Sequence, residues 1–540
     1  MLITLLVIVG STLLVGAAGA SAQSPPTAAT SVEFRPPTLP RDPSRGANIQ
    51  RTMTLLHTST PERRNTVRVL FYGQSITVQE WWREVADDLR ARFPHADLVI
   101  ENRAIGGFAV PLLSRPAEHD LFPFQPDLIV FHVYGGQDAY EAFVRDVRSR
   151  TTAEMVICGD HLSSNQNDPW HDRHNADWLP KLCQHYGLEF VDIRAGWRQY
   201  LADNKLQPRD LLSDDVHLND LGCRLYAALV KAHLVHNPQV PTNRWAGVAR
   251  EFTVRPERSP EGAQSMDPAL DERPTRPPDQ SASATDPDDN APTLRWTDNM
   301  LRLDFTGTRV DAIPAATSDA EAVVTIDGKP PAEIPGLFAI TRPTDAVGVG
   351  WPAVTRVSFE RLPVAEEWTC RITRIHAQAR DVEFEVVGSV TGPDGGGRST
   401  GRFVSNSGRV VIERGDWHLE ASRRHTRRPV PEGFEFKWTV YPQHIATYHA
   451  IVEDASSDSA VTLAQGLPPG RHTVELTAPP GRPVPPIRAL RVYAPPLDKA
   501  TVPEIGLMPH VQLAPEQQKK QDEDRARRRQ QREQPRKASP

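Results

Sequence analysis

The pattern of hydrophobic and polar positions divides the chain into two regions with different periods. Between about residues 66 and 236, short apolar runs alternate with segments in which apolar residues recur every three or four positions. The runs are typical of buried strands, and the spaced segments are typical of amphipathic helices. Strands that alternate with helices predict a parallel sheet covered on both faces, so we expect a three-layer α/β domain over residues 63–245.

Individual elements follow from the same pattern. The predicted strands are 67–72, 97–101, 127–133, 154–158 and 189–193. The predicted helices are 79–93, 139–150, one around 176–185, and 218–235. Because parallel strands end at the same edge of their sheet, we expect the loops that follow these strands to lie together.

From residue 293 to about 497 the hydrophobic period changes to two, which predicts a second domain made of antiparallel strands. The run 323–326 leads into the Asp-Gly dipeptide at 327–328, which favours a tight hairpin turn. No amphipathic segment of helical length stands out here, and the three glycines at 395–397 predict a flexible loop. We therefore expect an all-β sandwich or jelly roll.

Four further segments lack the pattern of a folded domain. Residues 1–22 are uncharged, apolar and end in small residues, which predicts a signal peptide and a secreted or periplasmic protein. An uncleaved anchor is the alternative, and no second stretch is apolar enough to span a bilayer. Residues 23–62 predict an extended lead-in, 255–292 a Pro- and Asp-rich linker, and 510–540 a charged, disordered tail.

Composition narrows the classes of function. The 540 residues carry a formal net charge of −6, which gives no reason to expect a nucleic-acid partner. The four cysteines, Cys158, Cys183, Cys223 and Cys370, allow three full disulfide pairings in an exported chain. A buried free thiol is at least as consistent with Cys158, which lies in an apolar strand pattern.

The first candidate for chemistry is Ser75, which follows the predicted strand 67–72 in the turn Gly73-Gln74-Ser75. A serine on a tight turn between a strand and a helix is exposed at the edge of an open α/β sheet. Its backbone N–H also points into the cleft, where it can bind an oxyanion. A serine that only caps the following helix is the alternative that this turn by itself leaves open.

Three more polar loops fall at the same predicted edge. Gly107 follows the second strand, and Gln137 follows the third. A glycine lets the backbone approach a ligand and offer its N–H, and an amide side chain can donate in the same way. Asp214 and His217 lie three residues apart before the last helix, so the carboxylate can hold one ring nitrogen while the other takes a proton from a serine hydroxyl.

Together these loops resemble the SGNH, or GDSL-like, hydrolase superfamily over residues 66–236. The resemblance implies a flavodoxin-like α/β fold and a catalytic triad in which Ser75 is the nucleophile, His217 the general base and Asp214 its partner. It also implies an oxyanion hole formed by Ser75, Gly107 and Gln137. This chemistry requires no cofactor and no metal.

Two positions depart from the family pattern. Gln74 replaces the usual acidic residue, as it does in sialate-type and some acetylxylan-type esterases of the superfamily. Gln137 replaces the usual asparagine and adds a methylene, a displacement that can weaken an oxyanion donor. The neighbouring Asp138 can instead cap the helix that begins there.

The resemblance implies hydrolysis of an ester through an acyl-enzyme, with O-acetyl groups on a carbohydrate as the expected substrate. Two alternatives stay open: a non-catalytic carbohydrate- or cell-envelope-binding protein with a degenerate hydrolase domain, and an O-acyltransferase.

Other polar and aromatic clusters carry less weight. His171 and His174, together with the Asp-His pair at 160–161, could be metal ligands. Their spacing fixes no third ligand, so we expect a solvated loop and helix start instead. The two tryptophans at 81–82 follow the Ser75 turn, and we expect them to pack in the core rather than against a sugar ring.

Overall fold

The computed structural model describes residues 33–163, 169–241, 247–254, 272–274, 293–297, 299–344, 351–376, 380–427 and 430–508. The predicted signal peptide, the tail and most of the predicted linker lie outside these ranges. Within them, every helix is too short or too polar to cross a membrane. Residues 36–540 belong to one compact unit.

The first part of the described chain is an α/β domain built on a five-stranded parallel sheet. Its elements are α1 (Gln50–His57), β1 (Thr66–Gly73), α2 (Ser75–Val78), α3 (Trp81–Arg92), β2 (Asp97–Asn102), α4 (Val110–Leu113), α5 (Ala117–Asp120), β3 (Leu128–His132), α6 (Gln137–Arg150), β4 (Glu154–Cys158), α7 (Pro169–Arg173), α8 (Leu179–Tyr186), β5 (Glu189–Val191), α9 (Ile193–Asn204) and α10 (Asp220–Lys231). A π-helical turn, His174–Trp178, joins α7 to α8, and a 3₁₀ turn, Pro208–Leu211, precedes α10. The strand order β2-β1-β3-β4-β5 is the flavodoxin-like order.

Helices cover both faces of the sheet, and successive residues of the inner strand β1 point into the two cores on its opposite faces. Tyr72 of β1 stacks on Phe143 of α6, with ring centroids 6.1 Å apart. Phe71 points the other way and lies 5.7 Å from Trp81 of α3, which in turn lies 4.5 Å from Tyr226 of α10. The predicted three-layer α/β fold is confirmed, and Trp81 is a core residue as expected.

The end of the predicted lead-in is a helix rather than extended chain. α1 buries Met53 and Leu56, and its Arg51 forms an ion pair with Asp127 at 2.9 Å. The expectation of an extended segment over 23–62 is therefore wrong for this part. Two turns of helix are too short to show a clear period beside Pro-rich chain.

The second part of the described chain consists mainly of antiparallel strands. They are β6 (Ala249–Thr253), β7 (Glu272–Pro274), β8 (Thr293–Thr297), β9 (Met300–Thr306), β10 (Arg309–Pro314), β11 (Glu321–Ile326), β12 (Phe338–Ile340), β13 (Glu366–His376), β14 (Asp381–Gly388), β15 (Gly392–Arg398), β16 (Phe403–Val404), β17 (Val411–Ile412), β18 (Glu435–Pro442), β19 (Thr447–His449), β20 (Val461–Gln465), β21 (Arg471–Thr477) and β22 (Ile487–Tyr493). One helix, α11 (Leu419–Thr426), lies between β17 and β18 and was not expected, since its eight residues span only about two turns. β7 lies within the predicted linker and pairs with β6.

Two of the sheets form the expected sandwich, and a third forms a separate unit. The sandwich sheets have the orders β20-β10-β22-β6-β7 and β19-β11-β21-β9-β8, and they share one hydrophobic core. The third sheet, β12-β18-β13-β14-β15, surrounds its own core with the hairpin β16-β17 and α11. Because these elements lie between β11 and β19 in the sequence, residues 338–442 form an inserted β unit.

Glycine positions show where the turn predictions succeed and fail. The Asp327-Gly328 turn after β11 is confirmed, with φ angles of +51° and +73°. The predicted flexible loop at 395–397 is wrong, because these residues belong to β15, and Gly396 and Gly397 pair with β14. A Cβ on Gly396 would lie 2.3 Å from the Phe384 carbonyl oxygen, so close strand packing requires glycine there.

The four cysteines all lie in described residues and are unpaired. Cys158 ends β4 and is buried, and burial raises the pKa of its thiol to about 12. The prediction of a buried free thiol is therefore confirmed at Cys158, and a thiol of this kind is inert.

His119 joins the α/β domain to the inserted β unit. Its Nδ1–H donates to the Ile340 carbonyl at 3.0 Å, and its Nε2 accepts from the Val357 N–H at 3.1 Å. A backbone N–H can only donate, so the ring is neutral and carries its hydrogen on Nδ1. Burial lowers the pKa of His119 to about 4, in agreement with the neutral ring.

Because of His119, the free energy of unfolding is expected to decrease as the pH is lowered from about 6.5 to about 4. In the unfolded chain this imidazole gains a proton below its ordinary pKa of 6.5, whereas the folded chain binds that proton only near pH 4. Stability that is fully present above pH 6.5 is therefore lost toward pH 4, by about 1.4 kcal/mol per pH unit for this one histidine. In His119→Gln, whose amide can also donate and accept, this contribution should disappear.

Urea unfolding between about pH 7 and pH 5 measures this effect. The control is His95→Gln, at an exposed position before β2. An equal pH dependence in the wild type and in His119→Gln would contradict the assignment.

Candidate active site

Ser75 occupies the turn between the inner strand β1 and the helix α2 that follows it. β1 ends at Gly73, where a Cβ would lie 2.1 Å from the His132 carbonyl oxygen and 2.4 Å from the Thr77 Oγ1. Only glycine fits between β1 and β3 at this point, so the chain can turn at once into α2. Ser75 is the first residue of α2 and is partly exposed at the carboxyl edge of the sheet.

Asp214 and His217 are in direct contact. The Asp214 Oδ2 accepts from the His217 Nδ1–H at 2.7 Å, and its Oδ1 accepts from the N–H groups of Val216 and His217 at 2.7 and 2.6 Å. Burial raises the pKa of Asp214, but these hydrogen bonds outweigh it and lower the pKa to about 2. The ionised carboxylate keeps the ring hydrogen on Nδ1, which leaves the Nε2 lone pair able to take a proton.

Gln79 connects the helix of Ser75 to the loop of His217. Its Oε1 accepts from the Leu218 N–H at 3.0 Å, and its Nε2 donates to the Leu218 carbonyl at 2.8 Å. Gln79 follows α2 directly, and Leu218 follows His217 directly. This amide clamp therefore fixes the loop of the base relative to the turn of the serine.

Replacing Gln79 by alanine is expected to lower kcat for ester hydrolysis by about tenfold, with KM changed by less than about threefold. The clamp holds the His217 loop without lying on the reacting atoms, so its loss disturbs the proton transfer more than binding. Steady-state kinetics and a thermal melt of the same protein measure both effects.

The matched control is Gln199→Ala, which removes an exposed amide that bonds Asp203 on α9. If Gln79→Ala changed kcat no more than Gln199→Ala does, the clamp would have no positioning role.

The loop of Gly107 is also fixed to the serine turn. The Ile105 N–H donates to the Gly73 carbonyl at 3.0 Å. The Asn102 Nδ2–H donates to the Thr77 carbonyl at 2.7 Å. Gly107 itself is exposed, with a φ of +78° that favours glycine.

Gln137 begins α6, and only 6% of the residue is exposed. Its Oε1 accepts from the Met508 N–H at 3.0 Å, and its Nε2 donates to the His174 Nδ1 at 3.3 Å. Because Nε2 carries two hydrogens and the contact with His174 uses one, the second can serve an oxyanion. The role of Gln137 in an oxyanion hole stays a prediction.

The segment that reaches Gln137 is a C-terminal strap, residues 497–508, which returns to the α/β domain after β22. The Glu141 carboxylate accepts from the Ile505 N–H at 2.6 Å and from the Gly506 N–H at 3.2 Å. The strap therefore holds the first turns of α6 through its own backbone. The sequence pattern did not predict it, because backbone hydrogen bonds leave no period in the side chains.

A buried polar cluster lies beside the site, where a solvated loop was expected. Asp160, His161 and His174 are 4, 0 and 3% exposed, so the expectation is wrong for them. Asp160 lies 3.4 Å from the His132 ring and accepts from the Asn175 amide at 3.1 Å. Burial raises the pKa of Asp160, but its contacts with His132 and Asn175 outweigh this and lower the pKa to about 2.

Polar groups of this region bind other protein groups. His161 donates its Nε2–H to the Val216 carbonyl at 2.7 Å and so supports the loop that carries His217. Asp172 binds Arg194 at 2.7 Å. Among the residues that the structure describes, no group of three or more His, Cys, Asp or Glu side chains is placed to hold a metal ion.

The loops that carry the candidate residues are far apart in sequence, and hydrogen bonds join those of Gly107 and His217 to the segment that carries Ser75. The candidates Ser75, Gly107 and Gln137 follow β1, β2 and β3, and the Asp214–His217 pair precedes α10. A doubly wound α/β domain with a serine on the turn after an inner strand and a carboxylate–imidazole pair before its last helix is an arrangement that suits serine-dependent acyl hydrolases.

Residues 71–225 match the model of the GDSL-like Lipase/Acylhydrolase family. No curated protein matches the sequence.

Several solved structures resemble the chain. One is Axe2, an acetylxylan esterase from Geobacillus stearothermophilus, with 21% identity over 32% of this chain and 96% of that chain and a TM-score of 0.28. Another is LAE5, an alpha/beta hydrolase enzyme from the metagenome of Lake Arreo, with 19% identity over 32% and 98% and a TM-score of 0.29. A third is a two-domain esterase, CEX, active on acetylated mannans, with 13% identity over 80% and 92% and a TM-score of 0.28.

Proposed function

We propose that the chain is an exported serine esterase that hydrolyses O-acyl groups, chiefly O-acetyl groups, on carbohydrate. The observation that carries the proposal is the 2.7 Å contact between the Asp214 carboxylate and the His217 ring, which Gln79 ties to the helix of Ser75. A nucleophile, a base and an ionised partner of that base are the elements of acyl transfer. The family of residues 71–225 supports the same class of reaction.

In the proposed reaction the Ser75 Oγ attacks the acyl carbon while its proton passes to the His217 Nε2. Asp214 stabilises the resulting imidazolium through the Nδ1–H hydrogen bond. The N–H groups of Ser75 and Gly107 and the second Nε2–H of Gln137 stabilise the oxyanion. His217 then protonates the leaving alcohol, and water activated by the same ring hydrolyses the acyl-serine.

The surroundings of the pair support a large, polar ester as the substrate. The side chains of Asp214 and His217 are 57 and 40% exposed, so a group attached to a polymer can reach them. On the side of Gln137, the partly exposed Trp170 stacks on His174 with ring centroids 4.9 Å apart. An indole beside hydrogen-bonding groups is suited to the apolar face and polar rim of a sugar.

Export is part of the proposal and rests on the apolar residues 1–22, which lie outside the described residues. The mass of the protein recovered from a cell envelope or medium tests it. A mature chain that begins after Ala22 would support cleavage, and a chain that retains Met1 in a membrane fraction would contradict it.

Two other activities fit the same residues. A non-catalytic carbohydrate- or cell-envelope-binding protein is favoured by one observation, the contacts of both Gln137 amide atoms with Met508 and His174. An O-acyltransferase would use the same serine and base but would transfer the acyl group to a sugar hydroxyl rather than to water.

Measuring the carboxylic acid that the full chain releases from esters distinguishes the esterase from the binding protein and the acyltransferase. The substrates are a small activated acetyl ester, acetylated oligosaccharides and a long-chain acyl ester. Acetate from the first two supports the proposal, and acid from the long-chain ester alone would contradict it. If no acid were released from any of the three, the binding protein would replace the esterase; acetyl groups found on an added sugar would identify the transferase.

A further inference from the structure

The inserted β unit is anchored beside the candidate site by buried charges. Arg342 binds Asp120 of α5 at 2.6 Å. Arg115, which lies between α4 and α5, bonds the Asp416 carboxylate with its Nε at 2.8 Å, and Asp416 is 1% exposed. Together with the hydrogen bonds of His119, these pairs fix the inserted unit against the loop that follows β2.

This anchoring brings one tryptophan to the candidate oxyanion glycine. Atoms Cζ2 and Cη2 of Trp351 lie 3.4 and 3.5 Å from the position that a Cβ on Gly107 would occupy. The indole meets the Phe108 ring edge-on at 5.2 Å, and the His418 ring lies 5.5 Å from the indole. Gly107 is exposed and Trp351 is partly exposed, so both reach the open face of the site.

The backbone that follows Trp351 is held in place by hydrogen bonds of Ala353 and Thr355. The Ala353 carbonyl accepts from the His418 N–H at 2.9 Å, and the Ala353 N–H donates to the Pro343 carbonyl at 3.1 Å. The Thr355 N–H donates to the carbonyl of the buried Asp416 at 2.8 Å. A ring fixed in this way loses little freedom when a ligand stacks on it.

We propose that Trp351 forms a sugar subsite of the candidate active site, on which the alcohol half of the ester stacks. This inference rests on the proposed esterase function and adds the residue that selects the substrate. An indole next to a glycine backbone offers an apolar surface beside hydrogen-bonding groups, which matches the C–H face of a pyranose ring. The arginines that anchor the unit are paired with Asp120 and Asp416, so we assign the subsite to a neutral sugar rather than an acidic one.

The test compares Trp351→Ala with the wild type on 4-nitrophenyl acetate and on acetylated xylo- and manno-oligosaccharides. On the oligosaccharides kcat/KM is expected to fall about tenfold or more, and on the small ester it should stay within about twofold. Trp351→Phe, which keeps a smaller ring, should lose about threefold on the oligosaccharides. Trp296→Ala, on β8 of the sandwich, is the control and should change neither rate.

Each other outcome overturns the subsite. If Trp351→Ala hydrolysed the oligosaccharides at the wild-type rate, the sugar would not stack on Trp351 and the proposed subsite would be refuted. Equal losses on both substrates in Trp351→Ala and Trp351→Phe, at unchanged melting temperature, would make Trp351 a structural residue only. If the wild type released acetate from the small ester but from no oligosaccharide, the carbohydrate part of the proposed function would be refuted, and the subsite with it. This failure would be visible in the wild type, whereas a failure of the subsite alone would be visible only in the Trp351 variants.

Discussion

Replacement of Ser75 by alanine is expected to lower kcat/KM for a small acetyl ester by about 10⁴-fold or more. The Oγ is the only group of the turn that can form the acyl-enzyme, and removing it leaves only whatever rate the oxyanion donors and substrate binding supply. The backbone around Ser75 should be unchanged, because Gly73 and the contact of the Gln74 N–H with the His132 carbonyl do not involve the hydroxyl. Acetate release and a thermal melt of the same preparation measure rate and folding together.

The control for this experiment is Ser457→Ala, a partly exposed serine whose hydroxyl bonds the Asp454 carbonyl in a loop of the sandwich. It should leave the rate unchanged within about twofold. A fluorophosphonate that modifies activated serines should add its mass to the wild type and to Ser457→Ala but not to Ser75→Ala. Hydrolysis that survives in Ser75→Ala would place the nucleophile elsewhere in the chain.

Replacement of Asp214 by asparagine is expected to lower kcat by about 10³-fold, with a much smaller change in KM. The carboxylate accepts one hydrogen bond from the His217 ring and two from backbone N–H groups. If the asparagine oxygen stays with the backbone N–H groups, its NH₂ faces the ring and requires a lone pair on Nδ1. The ring hydrogen then moves to Nε2, where His217 can no longer take the proton of Ser75.

Asp215→Asn is the matched control for Asp214→Asn. It removes the adjacent carboxylate, which forms an exposed ion pair with Arg209 at 2.9 Å, and it should change kcat by less than about twofold. Because the pKa of Asp214 is about 2, its protonation should not reduce the wild-type rate between about pH 4 and pH 9. Equal rates for the two asparagine variants would show that Asp214 does not orient the base.

The α/β domain could be predicted from the sequence because its signals are local. Apolar runs such as Leu128–His132 are buried on both faces, and Gly73 and Gly107 interrupt the pattern where strands end. The inserted β unit could not be separated in the same way. Its strands have the same period of two as the sandwich, and only the pairing of β11 with β19 across the insertion reveals the boundary.

The sequence could predict which residues at the ends of the strands are candidates for chemistry. It could not predict which other residues hold the loops of these candidates in place. Gln79 and Asn102 are polar residues at the ends of a helix and a strand, where water could have satisfied them equally well. Only the folded chain shows that Gln79 bonds Leu218 and that Asn102 bonds Thr77. Likewise, the burial of Asp160 depends on Asn175, a partner that spacing alone does not indicate.

During synthesis, the ribosome releases the α/β domain first, and domains commonly fold in that order. A nascent chain can therefore pair Asp214 with His217 before Trp351 and Met508 have left the ribosome. A chain cut short after the α/β domain would carry the serine and its base but would lack both the indole beside Gly107 and the backbone partner of Gln137. Two segments outside the α/β domain, the inserted β unit and the strap, therefore complete the surroundings of the candidate residues.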